Sequence, residues 1–275
     1  MAYLNNGVEY PSVTTITGIV NKPALLGWAA NCAVDYIQER LDVLGGNTSL
    51  IDEFISLLHE ENFDKDRLLS TYNLMKSKED VHAIEGIFEQ ARKAYVIKRD
   101  GAADAGTQCH HAIQMYIEGH DPYPSLTCDE AKNGFQAFLS WESKNNLEWL
   151  ESEVEVVCTT IGYAGRFDAI AIVNGHRYLI DFKTSKGIWD EMYWQVCAYR
   201  QAYNEMFPER PIDNLAILHL DKEKATPTFK PVEDEIERKT IFFNHLVNAY
   251  YFQCNRKLKN NPFVKAAKGW GTIPF

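Results

Sequence analysis

Asp168, Asp181 and Lys183 are the residues whose types and spacing point most directly to chemistry. Two carboxylates sharing a site repel one another unless a cation neutralises them, and hard divalent cations take carboxylate oxygens. An ammonium group beside them can hold a water molecule or stabilise charge developing on a reacting group. A turn brings these residues together. Tyr163 to Val173 and His176 to Lys183 read as strands flanking Asn174-Gly175, the strongest short-range hairpin signal. With a two-residue turn Val173 pairs with His176, and following the ladder back sets Asp168 opposite Asp181. Facing Cβ atoms then lie about 4.5 to 5.5 Å apart, where like charges destabilise a sheet. On this reading Asp181→Ala leaves the metal-free fold intact or stabilises it. Lys183 projects from the face that carries Asp181 and stands opposite Arg166. The plainer alternative is a solvated outer face of mixed charge. Against it, Tyr178, Leu179, Ile180 and Phe182 make the second strand apolar on both sides, as in a strand covered on both faces.

The elements that must position this hairpin follow from periodicity. After the opening turn at Asn5-Asn6-Gly7, helical spacing is expected from Pro23 to Ile37, Ile51 to Leu58, Leu68 to Met75 and Val81 to Ile97, so the first hundred residues read as helical. Gly106-Thr107 precedes a further helix, Gln108 to Glu118, with Thr107 as N-cap and Gly119 as stop. Thr127 and Glu130 have capping-box spacing ahead of Phe135, Phe138 and Leu139. From Leu150 onward the period changes to 2, with Val154, Val156 and Cys158 alternating against Glu153 and Glu155. Trp189 to Phe207 returns to helix, Leu215 to Leu220 reads as a buried strand and Glu233 to Phe252 as a closing helix. The order defines an α/β class, with a core sheet and helices packed on it.

Composition sets the outer limits. The chain has 275 residues, a net charge of -10, 45% hydrophobic and 24% charged residues, values that exclude a disordered or collagenous chain. No apolar run reaches the roughly 18 to 20 residues of a spanning helix, and MAYLNNGVEYPS lacks the regions of a signal peptide, so neither membrane insertion nor export is expected. Cys32, Cys109, Cys128, Cys158, Cys197 and Cys254 include no CxxC and read as reduced thiols, consistent with a cytoplasmic protein. The acidic balance argues against indiscriminate coating of nucleic acid. A local basic groove remains compatible with a polyanion, and the tail from Arg256 to Phe275 carries Arg256, Lys257, Lys259, Lys265 and Lys268 with no acid.

With these residues in view, the chain resembles the PD-(D/E)XK nuclease superfamily, and within it the RecB-type branch of phage exonucleases and mitochondrial genome maintenance exonucleases. Gly165-Arg166-Phe167-Asp168 resembles its GxxD element, Asp181-Phe182-Lys183 its (D/E)xK element, and Gln195-Val196-Cys197-Ala198-Tyr199 its QxxxY element. Gly106 to His110 resembles the GTxxH helix, and Tyr10 to Ile16 the PSVT start of some members. Each element alone is weak; four in order are strong. The resemblance implies a restriction-endonuclease-like core with a central mixed β-sheet flanked by helices, over residues 101–255. A helical region at 1–100 would pack on that core, and 256–275 would be a basic tail.

It further implies that His110, Asp168, Asp181 and the backbone carbonyl of Phe182 hold Mg²⁺ or Mn²⁺, and that Lys183 orients or deprotonates the attacking water. Glu153 fits the acidic position on the preceding strand, because a four-residue turn at 159–162 sets it beside Asp168; Glu155 competes on the same face. The branch's iron-sulfur cysteines are absent, so no such cluster is expected. Gln195 and Tyr199 share a helical face and could reach the site or the nucleic-acid backbone, or simply pack in the core. For His110 the alternative is a packed helical histidine. Arg166, Lys186 and Trp189 are candidate substrate contacts, which a charged hairpin edge explains almost as well.

The expected activity is a metal-dependent deoxyribonuclease, an exonuclease acting on DNA ends or single strands in phage or bacterial recombination, replication or repair. A phage-encoded protein would work in the host cytoplasm. The rivals are a structure-specific or RNA-directed nuclease of the same fold and a non-catalytic nucleic-acid-binding or assembly subunit. DNA is the expected partner, and such a role would add a single-stranded-DNA-binding protein or a recombinase. Ile273-Pro274-Phe275 resembles the tip through which bacterial single-stranded-DNA-binding proteins dock, without the acids that precede it there, and reads better as a plain tail.

Overall fold

The computed structural model describes residues 2–20, 81–253, 258 and 260–264. The helices expected between Pro23 and Met75, Cys32, Cys254, the basic residues Arg256, Lys257, Lys259, Lys265 and Lys268, and the Ile273 to Phe275 tip lie outside the described residues. The chain divides into two compact units, Met1–Asn21 with Ala105–Phe275, and Lys22–Asp104. All that follows concerns the first.

Its opening is a hairpin, β1 (Ala2–Asn5) and β2 (Val8–Pro11), turning at Asn6-Gly7 with both residues at positive φ. A short helix, α1 (Val13–Thr17), follows, capped by the Ser12 hydroxyl, which accepts from the Thr15 N–H at 3.0 Å. The described start of the chain is therefore β-structure and belongs with the core rather than with a helical region. α2 (Val81–Ile117) then runs without a break through Gly101 to Thr107, so Thr107 is not an N-cap. Alanines and straight-chain residues around Gly106 sustain the helix, and Gly106 serves a close approach: a Cβ there would lie 2.9 Å from Thr184 Oγ1. Gly119, at φ 78, ends the helix as expected. In α3 (Asp129–Glu142) the N-cap is Cys128 without a side-chain cap, so the Thr127–Glu130 box does not form. Instead the Gln108 side-chain carbonyl accepts from the Thr127 N–H at 2.9 Å.

β3 (Leu147–Cys158), β4 (Tyr163–Val173), β5 (His176–Lys183), β6 (Asn214–Asp221) and β7 (Thr226–Val232) form one five-stranded mixed sheet in that spatial order. β5 and β6 are parallel, connected through α4 (Asp190–Met206), and the other neighbours are antiparallel. α5 (Ile236–Gln253) closes the described fold. β7 has no counterpart in the sequence reading; Pro227 and Pro231 mask its alternation, which an edge strand tolerates. One face of the sheet packs on α1, α4 and α5 through Val13, Phe167, Ile170, Leu179, Val196 and Phe243. The other packs on α2 and α3 through Ile113, Phe135, Phe138, Ala169, Ile180 and Phe182. β5 is the middle strand, which is why its apolar residues face both ways.

Candidate active site

The β4–β5 ladder runs in the expected register from Val173↔His176 to Ala169↔Ile180, and Asn174 and Gly175 turn at φ 51 and 87. It stops there. Phe167 and Ala169, two residues apart, pack into opposite cores, whereas a regular strand would put them on one face. β4 therefore bends at Asp168. The same break occurs across the sheet: β3 pairs Ser152↔Ala169 and Val154↔Phe167 but leaves out Glu153, which has φ 50. Glu153 thus sits beside Asp168 in sequence register, as the short turn after Cys158 requires, and Glu155 pairs with Arg166 on the exposed side.

At this break the side chain of Asp168 takes over a backbone role. Its Oδ2 accepts the Phe182 N–H at 2.5 Å and its Oδ1 meets His110 Nδ1 at 2.9 Å. It is the Phe182 N–H, not its carbonyl, that touches the acid, and the Phe182 ring stands edge-on to the His110 ring at 6.0 Å. Asp181 is 3% exposed and ion-pairs with Lys183 through Oδ2, an atom that is buried and has no hydrogen-bond partner of good geometry. The acids do not oppose each other as a bare pair: each carries its own counter-charge, His110 for Asp168 and Lys183 for Asp181. Lys183 does not face Arg166 either. Arg166 Nε pairs with Glu153 Oε2 at 2.7 Å, on the β3 side.

Burial works against charge on all four central groups, and the neighbours decide the outcome. It opposes the imidazolium of His110, but Asp168's charge and hydrogen bond outweigh it and raise the value above 6.5. It opposes ionisation of Asp168, where His110, Lys183 and the Phe182 N–H prevail and hold the carboxyl below its ordinary value. For Asp181, burial together with the charge of Asp168 outweighs Lys183, and the carboxyl is raised. Lys183 is opposed by burial yet raised by Asp181 and Asp168, so its ammonium is firmly protonated. Glu153 is raised by burial and then by Asp168, with Arg166 acting the other way.

A cleft of about 450 Å³ opens onto Asp168, His110, Glu153 and Arg166, with Gly106, Thr107, His111 and Gln114 of α2 along its wall. Ile113 is buried, His110 is half-buried and His111 is exposed, the helical facing expected from sequence. Gln195 and Tyr199 lie behind the site. Gln195 Nε2 donates to Thr17 Oγ1 at 3.3 Å, and Tyr199, 3% exposed, packs on Phe167 with ring centroids 5.9 Å apart. A Cβ on Gly165 would lie 2.5 Å from Tyr199 Cε1 and 3.1 Å from Val13 Cγ2. Three sequence elements thus meet at one glycine, and in this arrangement Tyr199 supports Asp168 from the core. Lys186 is not brought to the site: it is exposed and lies 3.7 Å from Glu223. Trp189 is exposed at the N-cap of α4.

Sequence reading missed two supports. His219 Nε2 meets the Ser185 carbonyl at 2.5 Å and pins the segment after Lys183, and Thr17 holds Gln195. Neither carried a local signal, because both act through contacts distant in sequence. Among the described residues no group of three or more His, Cys, Asp or Glu side chains is arranged to hold a metal ion. The donor set nevertheless fits a hard or borderline divalent cation: buried carboxylates and an imidazole converge, and Asp181 Oδ2 is a buried oxygen short of directed partners. No protein-family model matches the chain, and no curated protein matches it either. No helix among the described residues is long and apolar enough to cross a membrane.

Proposed function

We propose that the chain is a metal-dependent deoxyribonuclease of the PD-(D/E)XK type, acting as an exonuclease on DNA ends or single strands in phage or bacterial recombination, replication or repair. The observation that carries this reading is the convergence of His110, Asp168, Asp181 and Lys183 at the break in the β4–β5 ladder, beside an open cleft. Their four positions come from the motif spacing, and their meeting point comes from the fold.

His110, Asp168 and Asp181 would hold Mg²⁺ or Mn²⁺, which when bound supplies a Lewis acid for the phosphoryl oxygen and a more acidic water. Asp168 fixes His110 through Nδ1 and anchors itself on the Phe182 N–H, so both side chains are set before substrate arrives. Lys183 is held protonated by two carboxylates, which suits it to orient the attacking water and to stabilise charge on the phosphoryl oxygens rather than to take a proton. Arg166, exposed at the cleft, is placed to contact a neighbouring phosphate.

The test is cleavage of end-labelled single-stranded and duplex DNA in Mn²⁺, with RNA alongside. Wild type is expected to release nucleotides from DNA, to stop with chelator and to recover with Mn²⁺. Lys183→Ala is expected to lower the rate about 10²–10⁴-fold. Activity indifferent to chelator would refute the metal mechanism, and DNA binding without cleavage would make the chain a binding subunit.

A further inference from the structure

The hairpin β1–β2 has no part in the acid-base cluster, yet it lies against the strand that carries Asp168. β1 and β2 both pack on β4, and Ser12 bridges Ala164, two residues before Arg166. The hairpin is fastened from its far side. Asn260 Nδ2 donates to the Gly7 carbonyl at 2.9 Å, and Asn261 Nδ2 donates to the Glu9 carbonyl at 2.6 Å. Asn261 is itself buried and hydrogen-bonded to the Tyr251 hydroxyl at 3.0 Å. The hairpin is thus a built wall rather than a loose end.

One aromatic side chain on this wall faces the cleft side. Along β1, Ala2 and Leu4 are exposed while Tyr3 and Asn5 are half-buried, so Tyr3 turns toward β4. Its phenol is raised by burial, lowered by the charge of Arg166 and raised again by Glu155 and Glu153, which puts the ring within the field of all three. Arg166 and Glu153 are also the cleft-lining ion pair. An aromatic face next to a guanidinium is the pairing that sequence-independent single-strand binders use, the ring for a base and the cation for the adjoining phosphate. A base inside a duplex has both faces covered by its neighbours, so only an unpaired base can use such a ring.

We propose that the N-terminal hairpin forms the outer wall of the substrate cleft, with Tyr3 as the stacking surface for an unpaired base and Arg166 as the contact for its phosphate. The inference rests on the nuclease reading and sharpens it: the substrate is a single-stranded segment of DNA, not a closed duplex end.

The test uses the full chain and a single-stranded oligonucleotide carrying 2-aminopurine near its end. Cleavage is followed in Mn²⁺, and base fluorescence is followed in chelator, where no cutting occurs. Stacking on wild type is expected to change the fluorescence. Tyr3→Ala is expected to abolish that change and to raise KM about tenfold with kcat little altered, in the range a lost base-aromatic stack gives. Tyr3→Phe, which keeps the ring, is expected to behave as wild type in both readouts. Arg166→Gln is expected to raise KM and to flatten its dependence on salt. Tyr3→Ala with wild-type KM and fluorescence would overturn the proposal, as would Tyr3→Phe failing as badly as Tyr3→Ala. A wild type that digests blunt duplexes but ignores single strands would overturn it while leaving the nuclease reading in place. A wild type that neither binds nor cuts any strand would overturn both.

Discussion

At its turn end the β4–β5 hairpin pairs rung for rung, from Val173↔His176 to Ala169↔Ile180, whereas at its open end the next rung is missing and the Asp168 side chain takes the Phe182 N–H. The turn end is ruled by backbone geometry: Asn174 and Gly175 accept positive φ, and the strand twist does the rest. The open end is ruled by charge. A carboxylate accepting a buried N–H makes a stronger bond than a neutral carbonyl does, so a strand can give up a rung where a buried acid needs partners. The same exchange occurs on the other side of β4, where Glu153 leaves the ladder at φ 50 and pairs with Arg166. Regular pairing delivers the acids to one place, and irregular pairing lets them act there.

The largest expected effect separates these two rules at Asp181. If it merely opposed Asp168, Asp181→Ala would relieve repulsion and raise the melting temperature. The structure instead gives it Lys183 as a partner, with only 20% of the Lys183 side chain exposed. Removing one member of a buried pair strands the other, at a cost of about 3 kcal/mol. Asp181→Ala is therefore expected to melt lower than wild type in chelator, and Asp181→Ala combined with Lys183→Met is expected to recover most of the loss. A higher midpoint for the single variant would restore the opposed-acid picture.

Backbone variants sharpen the contrast. Gly165→Ala drives a Cβ to 2.5 Å from Tyr199 Cε1, so the helix that backs Asp168 must shift. A loss of about 1–3 kcal/mol is expected, as for overpacking elsewhere, together with reduced cleavage. Gly175→Ala, at φ 87 with open space around it, is expected to cost about 1–2 kcal/mol in strain and to leave cleavage unchanged. Denaturant melts and rates measured on both variants check the pair. If Gly175→Ala lowered the rate as much as Gly165→Ala, the turn would be setting the active geometry and not only the register.

What sequence showed and what it hid follow the same division. Both strands of the hairpin, its register, the buried central strand and α4 were legible, because a turn dipeptide and a local period determine them. The merging of two expected helices into α2 was not, since Gly106 reads as a breaker until the nearness of Thr184 explains it. The mixed α/β sheet was legible as a class. That Lys183 answers Asp181 while Arg166 answers Glu153 was hidden, because those pairings depend on a break in the ladder that alternation cannot report. His110 was legible through its helical facing, whereas its bond to Asp168 required the tertiary fold.

The smallest expected effect probes that last bond by pH. His110 has a folded value above its unfolded 6.5, so its stabilising contribution is complete below about pH 6.5 and is lost as pH rises through the folded value. Asp168 is depressed, so its share is present above about pH 4 and is lost only as pH falls through its lower folded value. Asp181 is raised, so its ionisation costs stability and the cost is lifted on acidification. His110→Gln removes the first contribution and keeps the carboxylates. In chelator the stability difference between wild type and His110→Gln is therefore expected to be largest near pH 5 to 6 and to shrink toward about pH 8. Its size is expected to stay below about 1 kcal/mol, because the pair is partly solvated, with 29% of the His110 side chain exposed. Melting both proteins across that range checks the sign. A difference that grew with pH would mean that His110 is neutral in the fold and that Asp168 accepts an ordinary N–H from it, leaving only the Phe182 N–H to distinguish the open end of the hairpin from its turn.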